Sequence, residues 1–226
     1  DFFGGDGQSM IQYYIDILQD AAAHQLMVNF HGATLPRGWQ RTWPNLMSAE
    51  AIKGFEYITF GQKDANEEPT HAAMLPFTRN AFDPMDFTPM SLYKIPKINR
   101  QTTPAFELAL SVLFLSGSQH FAEIPEGMAH MPVHVKDFLR KLPTNWDEVK
   151  FIDGFPGEFV ALARKSGNKW YLAGNNGTSG EKTITLDAGI FKAKKATCLI
   201  NSKSNTYIDE QIIAVKPGKK ETITMA

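Results

Sequence analysis

The stretch LMVNFHGATLPRGWQRTWPNLMSAEAIKGFEYITF, residues 26–60, joins a predicted strand to an unusual set of side chains. It opens as a strand, because Leu26, Val28 and Phe30 alternate with other residues before the turn His31-Gly32-Ala33. The residues that follow leave regular structure and gather aromatic, cationic and acidic groups: Arg37, Trp39, Arg41, Trp43, Asn45, Glu50 and Glu56. Barrel enzymes place their sites in loops of this kind, directly after a strand.

The chemistry of these side chains suits a sugar. Aromatic faces pack against the apolar C–H faces of sugars, and Arg and Asn donate hydrogen bonds to hydroxyl groups. Carboxylates supply the proton transfer and the nucleophile of glycosyl transfer. The stretch therefore predicts a carbohydrate site.

Two segments also carry a resemblance to a known family. They are HGATLPRGWQRTWPNLMSAEAIKGFEY (residues 31–57) and MLPFTRNAFDPMDFTP (residues 74–89). Both closely resemble glycoside hydrolase family 97, the calcium-dependent α-glucosidases and α-galactosidases of gut-type bacteria. The resemblance covers nearly all of the chain. It implies an oligosaccharide or glycoside substrate and a periplasmic or secreted location.

Composition is that of an ordinary globular protein of 226 residues, with 43% hydrophobic and 21% charged residues. The formal net charge is −1, so no global field favours nucleic acid or an anionic membrane as partner. Residues 1–147 carry 11 basic against 16 acidic side chains, and residues 148–226 carry 12 against 8. This asymmetry favours a chain in two parts, of which the acidic part is better suited to hold a cation. The single cysteine, Cys198, excludes an intramolecular disulfide.

Residues 1–146 read as an α/β region. Ser9 and Gln12 fit a capping box, and the apolar residues between Ile11 and Ala22 follow helical spacing, which predicts a helix here. Further helices are predicted over 105–117 and 133–141, a polar exposed loop over 62–71 and a short strand over 74–78. Strand, helix and strand within the first thirty residues predict a βα unit of a parallel sheet. With the family resemblance, this indicates the C-terminal half of a (β/α)8 barrel.

Residues 147–226 read as all-β. Seven strand-like runs recur, separated by Gly and Asn turns, which predicts a small antiparallel β-sandwich: VKFIDGF, EFVALARKS, KWYLAGNNG, KTITLDA, ATCLINS, IDEQIIAV and ETITMA. Half a barrel leaves its edge strands unpaired, so we expect an upstream N-terminal part of the same protein as partner of residues 1–146. On its own, the 226-residue chain is expected to be inactive.

The resemblance implies roles for two glutamates. Glu56 matches the general acid/base that protonates the leaving oxygen, and Glu50 matches a calcium ligand. A general acid needs a raised pKa, obtained from burial or from a nearby carboxylate. A full Ca²⁺ site takes ~6–8 oxygen ligands. The remaining ligands are therefore expected from Glu56, from water or from the upstream part.

Gly32 distinguishes between the two branches of the family. The inverting α-glucosidases have a glutamate base at this place, whereas the retaining α-galactosidase-type branch uses an aspartate at the end of the preceding strand as nucleophile. Asp1 occupies that place here, and Asp6 is the nearest rival. Retention requires a carboxylate separation of ~5–5.5 Å, against ~6.5–9.5 Å for inversion. We therefore expect a calcium-dependent retaining α-galactosidase with Asp1 and Glu56 as catalytic residues.

Other side chains are expected to contact substrate or to organise loops. His31, Arg37, Trp39 and Arg41 are assigned to substrate contact, with structural roles as the alternative. Asp83 and Asp86, within the second family-like segment, are read mainly as loop organisers. The rival functions are an α-glucosidase of the same family and a non-catalytic structural or carbohydrate-binding fragment.

Overall fold

Residues 1–216 and 218–225 are described by the computed structural model. The helices among them are α1 (Gln8–Ala23), α2 (Glu56–Phe60), α3 (Gln62–Met74), α4 (Pro104–Leu113), α5 (Pro125–His130) and α6 (Val133–Arg140). The strands are β1 (Val28–Phe30), β2 (Leu46–Ala49), β3 (Glu148–Phe155), β4 (Phe159–Ser166), β5 (Lys169–Asn176), β6 (Lys182–Asp187), β7 (Lys195–Asn201), β8 (Ile208–Ala214) and β9 (Lys220–Met225). The change from helices and parallel pairing to antiparallel strands falls between α6 and β3.

Three chain segments lie side by side in the first part, and a fourth contacts them through one hydrogen bond. β1 and β2 pair in parallel, with Phe30 opposite Ala49. Ala49 forms a parallel bridge with Met85, whose N–H donates to the carbonyl of Leu115. Because parallel segments end at one edge, the residues after each of them come together there. Parallel pairing is confirmed, but the predicted βα unit is wrong in its first element, because residues 1–3 form no strand and β1 pairs with β2 instead. The half-barrel stays a prediction.

The chain turns sharply away from three of these segment ends. Gly32, Ala51 and Thr88 have φ values of 54°, 44° and 52°, in the left-handed region. Such a conformation is unfavourable for Ala and more so for a β-branched Thr, and it persists where the surroundings over-determine it. These three residues lie within two residues of His31, Glu50 and Asp86 in the sequence, respectively.

The helices follow the sequence in most places. α1, α4 and α6 lie where periodicity predicts them, and Thr103 caps α4 by accepting from the N–H of Phe106. The capping box proposed for α1 is wrong. Gly7 is the N-cap residue of α1 and no side chain caps this helix, so Ser9 lies within its first turn.

Residues 62–78 differ from the sequence reading. The stretch predicted as a polar loop is α3, and the predicted strand at 74–78 is a 3₁₀ turn over Leu75–Phe77. The buried face of α3 consists of Ala65, Glu68, Ala72 and Ala73. Small side chains and an acid give no apolar periodicity, so the usual signal of a packed helix is missing.

All seven strand-like runs of the second part are strands. β3, β4 and β5 form one antiparallel sheet, while β6 pairs with β9 and β7 pairs with β8, both antiparallel. The antiparallel class is confirmed, and closure into a sandwich stays a prediction. Cys198 lies in β7, where burial raises the pKa of its thiol, as expected of an unreactive side chain.

Arg164 of β4 joins the two parts. Its side chain is buried and donates from Nε to the carbonyl of Val112 at 2.7 Å and from Nη2 to that of Leu113 at 2.9 Å. Burial lowers the pKa of Arg164 to about 10. The guanidinium thus satisfies carbonyls that the end of α4 leaves unpaired, where a positive charge is also favoured. Residues of α4 and of β4 share one apolar core, which includes Leu110, Leu113, Val160 and Leu162.

Within the described ranges, no helix is long and apolar enough to cross a membrane.

Candidate active site

A group of polar side chains, which we call the strand-end cluster, gathers where the parallel segments end. Its members are His31, Glu50, Glu56, Asp86 and His120. One ligand atom from each of His31, Glu50 and Glu56 lies within 4.8 Å of the other two. The first follows β1, the second follows β2 and the third begins α2. Parallel pairing of β1 with β2 therefore brings His31 and Glu50 together, and Glu56 follows Glu50 by only six residues.

Glu50 is the buried centre of this trio. It is 4% exposed, and its Oε2 accepts from the N–H of Gly32 at 2.7 Å and faces His31 Nδ1 at 3.4 Å. Its other oxygen, Oε1, is buried with no hydrogen-bond partner among the described residues. A buried carboxylate oxygen without a donor is costly and points to a missing positive partner. Glu50 therefore fits the expected role of a cation ligand.

Glu56 stands at the open side of the trio. It is the first residue of α2 and is exposed, so the described residues do not provide the burial expected of a general acid. The preceding loop passes close to Glu50, because a Cβ at Gly54 would lie 3.1 Å from Glu50 Oε1. This close approach brings two carboxylates of neighbouring elements to the same place.

Asp1 lies beside Gly32, which is in the turn that follows β1. A Cβ added to Gly32 would lie 3.2 Å from Asp1 Oδ1 and 3.0 Å from the backbone nitrogen of Phe2. The carboxylate of Asp1 accepts from the N–H of Phe2 at 2.7 Å. A side chain at residue 32 would therefore crowd Asp1 and Phe2, which would have to shift by a few tenths of an ångström. Asp6, the rival nucleophile, instead pairs with Arg37 at 3.1 Å on the surface.

Asp86 forms a second buried centre, which sequence reasoning missed. It is 0% exposed, and its Oδ2 accepts from Asn29 Nδ2 at 2.6 Å and from His120 Nδ1 at 2.7 Å. His31 links the two centres, since its Nε2 lies 3.8 Å from the same Oδ2 atom. The available signal was its place within the second family-like segment, where it was read mainly as a loop organiser. Nothing in the sequence pairs it with His120.

The other predicted substrate contacts lie elsewhere. Arg37 is paired with Asp6, and Arg41 is exposed in a 3₁₀ turn. Trp39 packs on the ring of Tyr14, with centroids 5.2 Å apart, beside the apolar cluster of α1, β1 and β2. Asp83 is buried and accepts from the side chain of Gln40. The structure thus brings His31 into the cluster and leaves Arg37, Trp39 and Arg41 outside its contacts; their sugar-binding roles stay predictions.

Adjacent carboxylates at the ends of parallel strands can exchange protons with a bound substrate and can bind a hard cation. That combination of fold and site fits a glycoside hydrolase. The chain belongs to glycoside hydrolase family 97. A family model described as "Glycoside hydrolase 97" matches residues 1–52, and one described as "Glycosyl-hydrolase 97 C-terminal, oligomerisation" matches residues 145–226.

Two curated relatives point the same way. The chain is 42% identical over 174 residues to a "Probable retaining alpha-galactosidase" of Streptomyces bingchenggensis, a match that covers 77% of this chain and 26% of that protein. It is 30% identical over 183 residues to a "Retaining alpha-galactosidase" of Bacteroides thetaiotaomicron, covering 77% of this chain and 27% of that protein. The chain thus spans about a quarter of the length of these relatives.

Solved structures resemble this one over almost its whole length. A crystal structure of a beta-arabinopyranosidase superposes with a TM-score of 0.94 at 37% identity, covering 100% of this chain and 37% of that one. A family 97 enzyme in complex with acarbose, from Pseudoalteromonas sp. strain K8, gives a TM-score of 0.79 at 28% identity. That match covers 98% of this chain and 36% of the other.

Proposed function

We propose that this chain carries both catalytic carboxylates of a retaining α-galactosidase, with Asp1 as nucleophile and Glu56 as general acid and base. The observation that carries the proposal is the contact between Asp1 and Gly32. A side chain at residue 32 would crowd the carboxylate of Asp1 in this position. Since the inverting branch of the family carries a glutamate base at this position, the glycine supports the retaining branch. The names of both curated relatives support the same branch and sugar.

The reaction is a double displacement. An oxygen of Asp1 forms a bond to the anomeric carbon as the bond to the leaving oxygen breaks, and Glu56 gives that oxygen its proton. The product of this step is a glycosyl ester of Asp1. Glu56, now ionised, takes a proton from water as the water oxygen attacks the anomeric carbon and Asp1 leaves. Two inversions at one carbon restore the α configuration.

Glu50 and Glu56 are the residues that would hold Ca²⁺. The donor set fits a hard cation, because both offer carboxylate oxygens and no donor from residues 1–216 or 218–225 reaches the buried Glu50 Oε1. When bound, the ion would supply positive charge that orients substrate hydroxyls. His31 Nδ1 lies 3.4 Å from Glu50 Oε2, so His31 serves better as a hydrogen-bond partner of the ligand than as a ligand for a hard ion.

The parallel segments would belong to a (β/α)8 barrel completed by an upstream N-terminal part, with residues 147–226 as a β-sandwich beside it. The order β1, β2 and Met85 supports this arrangement, since neighbours in space follow chain order as in a barrel. A periplasmic or secreted location is proposed on the family resemblance alone.

The C-terminal strands would mediate association between copies of the protein, rather than bind glycan. The description of the family model over residues 145–226 supports this. β8 exposes apolar side chains, with Ile212 70% exposed. Light scattering of the complete protein containing this chain tests the idea. Ile212→Lys should lower the mass of the assembly, whereas Gln211→Lys, one residue away on the same strand, should not.

The first test of the mechanism is the stereochemistry of the product. Proton NMR of the anomeric signal, recorded while the complete protein hydrolyses an aryl α-galactoside, should show α-galactose before mutarotation. First release of β-galactose would mean inversion and would remove Asp1 from the mechanism.

A second test identifies the nucleophile. Asp1→Ala should abolish turnover of an aryl α-galactoside, and added azide should restore cleavage with formation of β-galactosyl azide. Asp6→Ala serves as the matched control and should retain activity. An active Asp1→Ala enzyme would exclude the assigned role.

One further substrate is favoured by a specific observation, the similarity to a beta-arabinopyranosidase. A β-L-arabinopyranoside has the ring stereochemistry of an α-D-galactopyranoside and lacks only the hydroxymethyl group on C5. The same strand-end cluster could therefore act on both. The ratio of kcat/KM values for the two aryl glycosides decides which is preferred. A large preference for the arabinoside would change the assigned substrate from an α-galactoside to a β-L-arabinopyranoside. The proposed mechanism would be unaffected.

A further inference from the structure

His120 is an exposed side chain held by a fully buried carboxylate. Its Nδ1 lies 2.7 Å from Asp86 Oδ2, while 55% of the His120 side chain is exposed. Asp86 is 0% exposed and also accepts from Asn29 Nδ2 and from the N–H of Thr88. An ionised carboxylate is an acceptor only, so the Nδ1 of His120 must carry the hydrogen of this bond. The imidazole is thereby fixed in orientation and, when neutral, in tautomer.

The position of His120 places it in the strand-end cluster. Oδ2 of Asp86 faces both His120 Nδ1 and His31 Nε2, the latter at 3.8 Å. His31 in turn contacts Glu50 through Nδ1. Oδ2 of Asp86 therefore lies between two imidazole rings, that of His31 beside Glu50 and that of His120 at the surface. His120 follows Leu115, whose carbonyl accepts from the N–H of Met85.

The remaining nitrogen of His120 has no partner among the described residues. With Nδ1–H donated to Asp86, the neutral ring presents Nε2 as a hydrogen-bond acceptor at an exposed position. The hydrogen bond to Asp86 restricts the ring before any ligand arrives, which lowers the entropy that binding must overcome. A restrained acceptor in the strand-end cluster is suited to accept a hydrogen bond from a sugar hydroxyl.

We propose that His120 is a specificity-determining residue that accepts a hydrogen bond from one hydroxyl of the sugar ring, with Asp86 as its positioning residue. The inference rests on the proposed glycosidase function and names a contact within that site. Its chemistry is hydroxyl recognition and involves no proton transfer to the reacting atoms. Asp86 would act through both imidazoles, by holding His120 in one tautomer and His31 beside Glu50.

The experiment compares a set of aryl glycosides of the preferred sugar, each lacking one ring hydroxyl, in the complete protein. The unaltered protein should lose about 10-fold in kcat/KM for one of these deoxy substrates because one hydrogen bond is lost. His120→Ala should lose a similar factor on the full substrate and almost nothing further on that one deoxy substrate. His120→Gln, whose amide can place an acceptor near the Nε2 position, should recover part of the loss.

Asp86→Asn provides the test of positioning. An asparagine can turn its NH₂ group toward Nδ1 and so reverse the tautomer of His120, which would present Nε2–H instead of an acceptor. The effects of Asp86→Asn and His120→Ala on that one hydroxyl should then be non-additive. Thermal unfolding measures whether either variant is destabilised. A folding defect would lower the rate equally on every substrate, whereas loss of one contact would not.

Two results would overturn the inference and are distinguishable. In the first, the unaltered protein cleaves glycosides, and His120→Ala lowers kcat/KM by the same factor for every deoxy substrate as for the full substrate. His120 would then contact no particular hydroxyl. If the unaltered protein cleaves no glycoside, the proposed function fails and the inference falls with it.

Discussion

Carboxyl groups are buried in two regions of this protein, and their surroundings differ between the two. At the strand ends, Glu50 and Asp86 are 4% and 0% exposed. Between α3 and α4, Glu68 and Glu107 are 2% and 0% exposed; we call these two residues the glutamate pair. Burial is therefore equal. What differs is the set of groups that each carboxyl group meets.

Hydrogen-bond donors surround the strand-end carboxylates. They are the N–H of Gly32 for Glu50, and Asn29, Thr88 and His120 for Asp86. The glutamate pair also has donors, since Glu107 accepts from the backbone of Ser91, but here two carboxyl groups meet. Its members hydrogen-bond each other, and the hydroxyl of Thr102 lies beside both. Burial, and next the charge of Glu107, raise the pKa of Glu68 well above its usual range. Burial also raises the pKa of Glu107, against the opposing effect of Arg100.

The comparison teaches that burial alone does not decide the charge of a carboxyl group. Donors that are already in place stabilise an ionised carboxylate, whereas two carboxyl groups that meet each other favour sharing a proton. Ionised oxygens at an open edge can bind a cation and substrate. A protonated pair inside the helices can only join two elements. The predictions below test this contrast, beginning with the largest effect.

The first prediction concerns Glu56, the carboxylate of the strand-end cluster that reaches solvent. Glu56→Gln removes the proton donor and should lower kcat/KM of the complete protein by about 10²–10⁴-fold. The loss should be smallest for aryl glycosides with the most acidic phenols, because these leaving groups need little protonation. Steady-state kinetics over a series of phenols checks this, with exposed Glu126→Gln as control. An equal loss for all phenols would contradict the acid role.

The second prediction concerns Asp86. Asp86→Ala should lower the free energy of unfolding by about 3 kcal/mol, since it leaves Asn29 Nδ2 without its acceptor and removes bonds to a charged group. Urea unfolding of the complete protein measures the change. The exposed Asp137→Ala, whose carboxylate pairs with Arg140 on the surface of α6, should change it by less than about 1 kcal/mol. Equal effects of the two substitutions would remove the contrast between them.

The third prediction concerns the cation. Ca²⁺ at 100 times its dissociation constant should stabilise the complete protein by about 2.7 kcal/mol, because it binds the folded state. Glu50→Gln should abolish most of this gain, whereas Glu210→Gln, exposed on β8, should not. Thermal unfolding with and without a chelator measures both. A gain that persists in Glu50→Gln would place the ion elsewhere.

The end of β1 could be read from the sequence because the information is local. Leu26 to Phe30 alternate, and His31 follows this predicted strand. The strand before Glu50, β2, lies in a stretch predicted to be irregular, and only the family resemblance indicated Glu50. The seven C-terminal strands were predictable for the same reason, since turn residues separate them. Asp86 and His120 could not be paired, because their contact joins two irregular segments that no period describes.

The glutamate pair could not be read from the sequence at all. Glu68 lies in a polar stretch with Pro69 inside the helix, which favours the reading of a loop. Glu107 lies in an apolar helix, where one acid among leucines gives no sign of its partner. Their meeting follows from the packing of α3 and α4 and belongs to tertiary structure alone.

The fourth prediction concerns Glu68 and has the smallest effect. Its folded-state pKa is raised, so the folded protein holds a proton that the unfolded chain releases above its own pKa, near 4.5. Stability is therefore lost as pH rises from about 4.5 toward the folded-state pKa, by about 1.4 kcal/mol for each unit of difference. Glu68→Gln keeps the shape and needs no proton. It should stabilise the complete protein at neutral pH and have little effect below pH ~4.5.

The control for this prediction is the adjacent residue in the sequence. Glu67 has 54% of its side chain exposed and lies 3.5 Å from Lys53, so Glu67→Gln should give a small, slightly unfavourable change at neutral pH. Thermal midpoints of both variants between pH 4 and pH 8 measure the difference. A gain for Glu68→Gln that grows with pH would show that the buried pair holds a proton. A loss at neutral pH would mean that Glu68 is ionised in the folded protein and that Arg100 and Thr102 suffice to hold its charge.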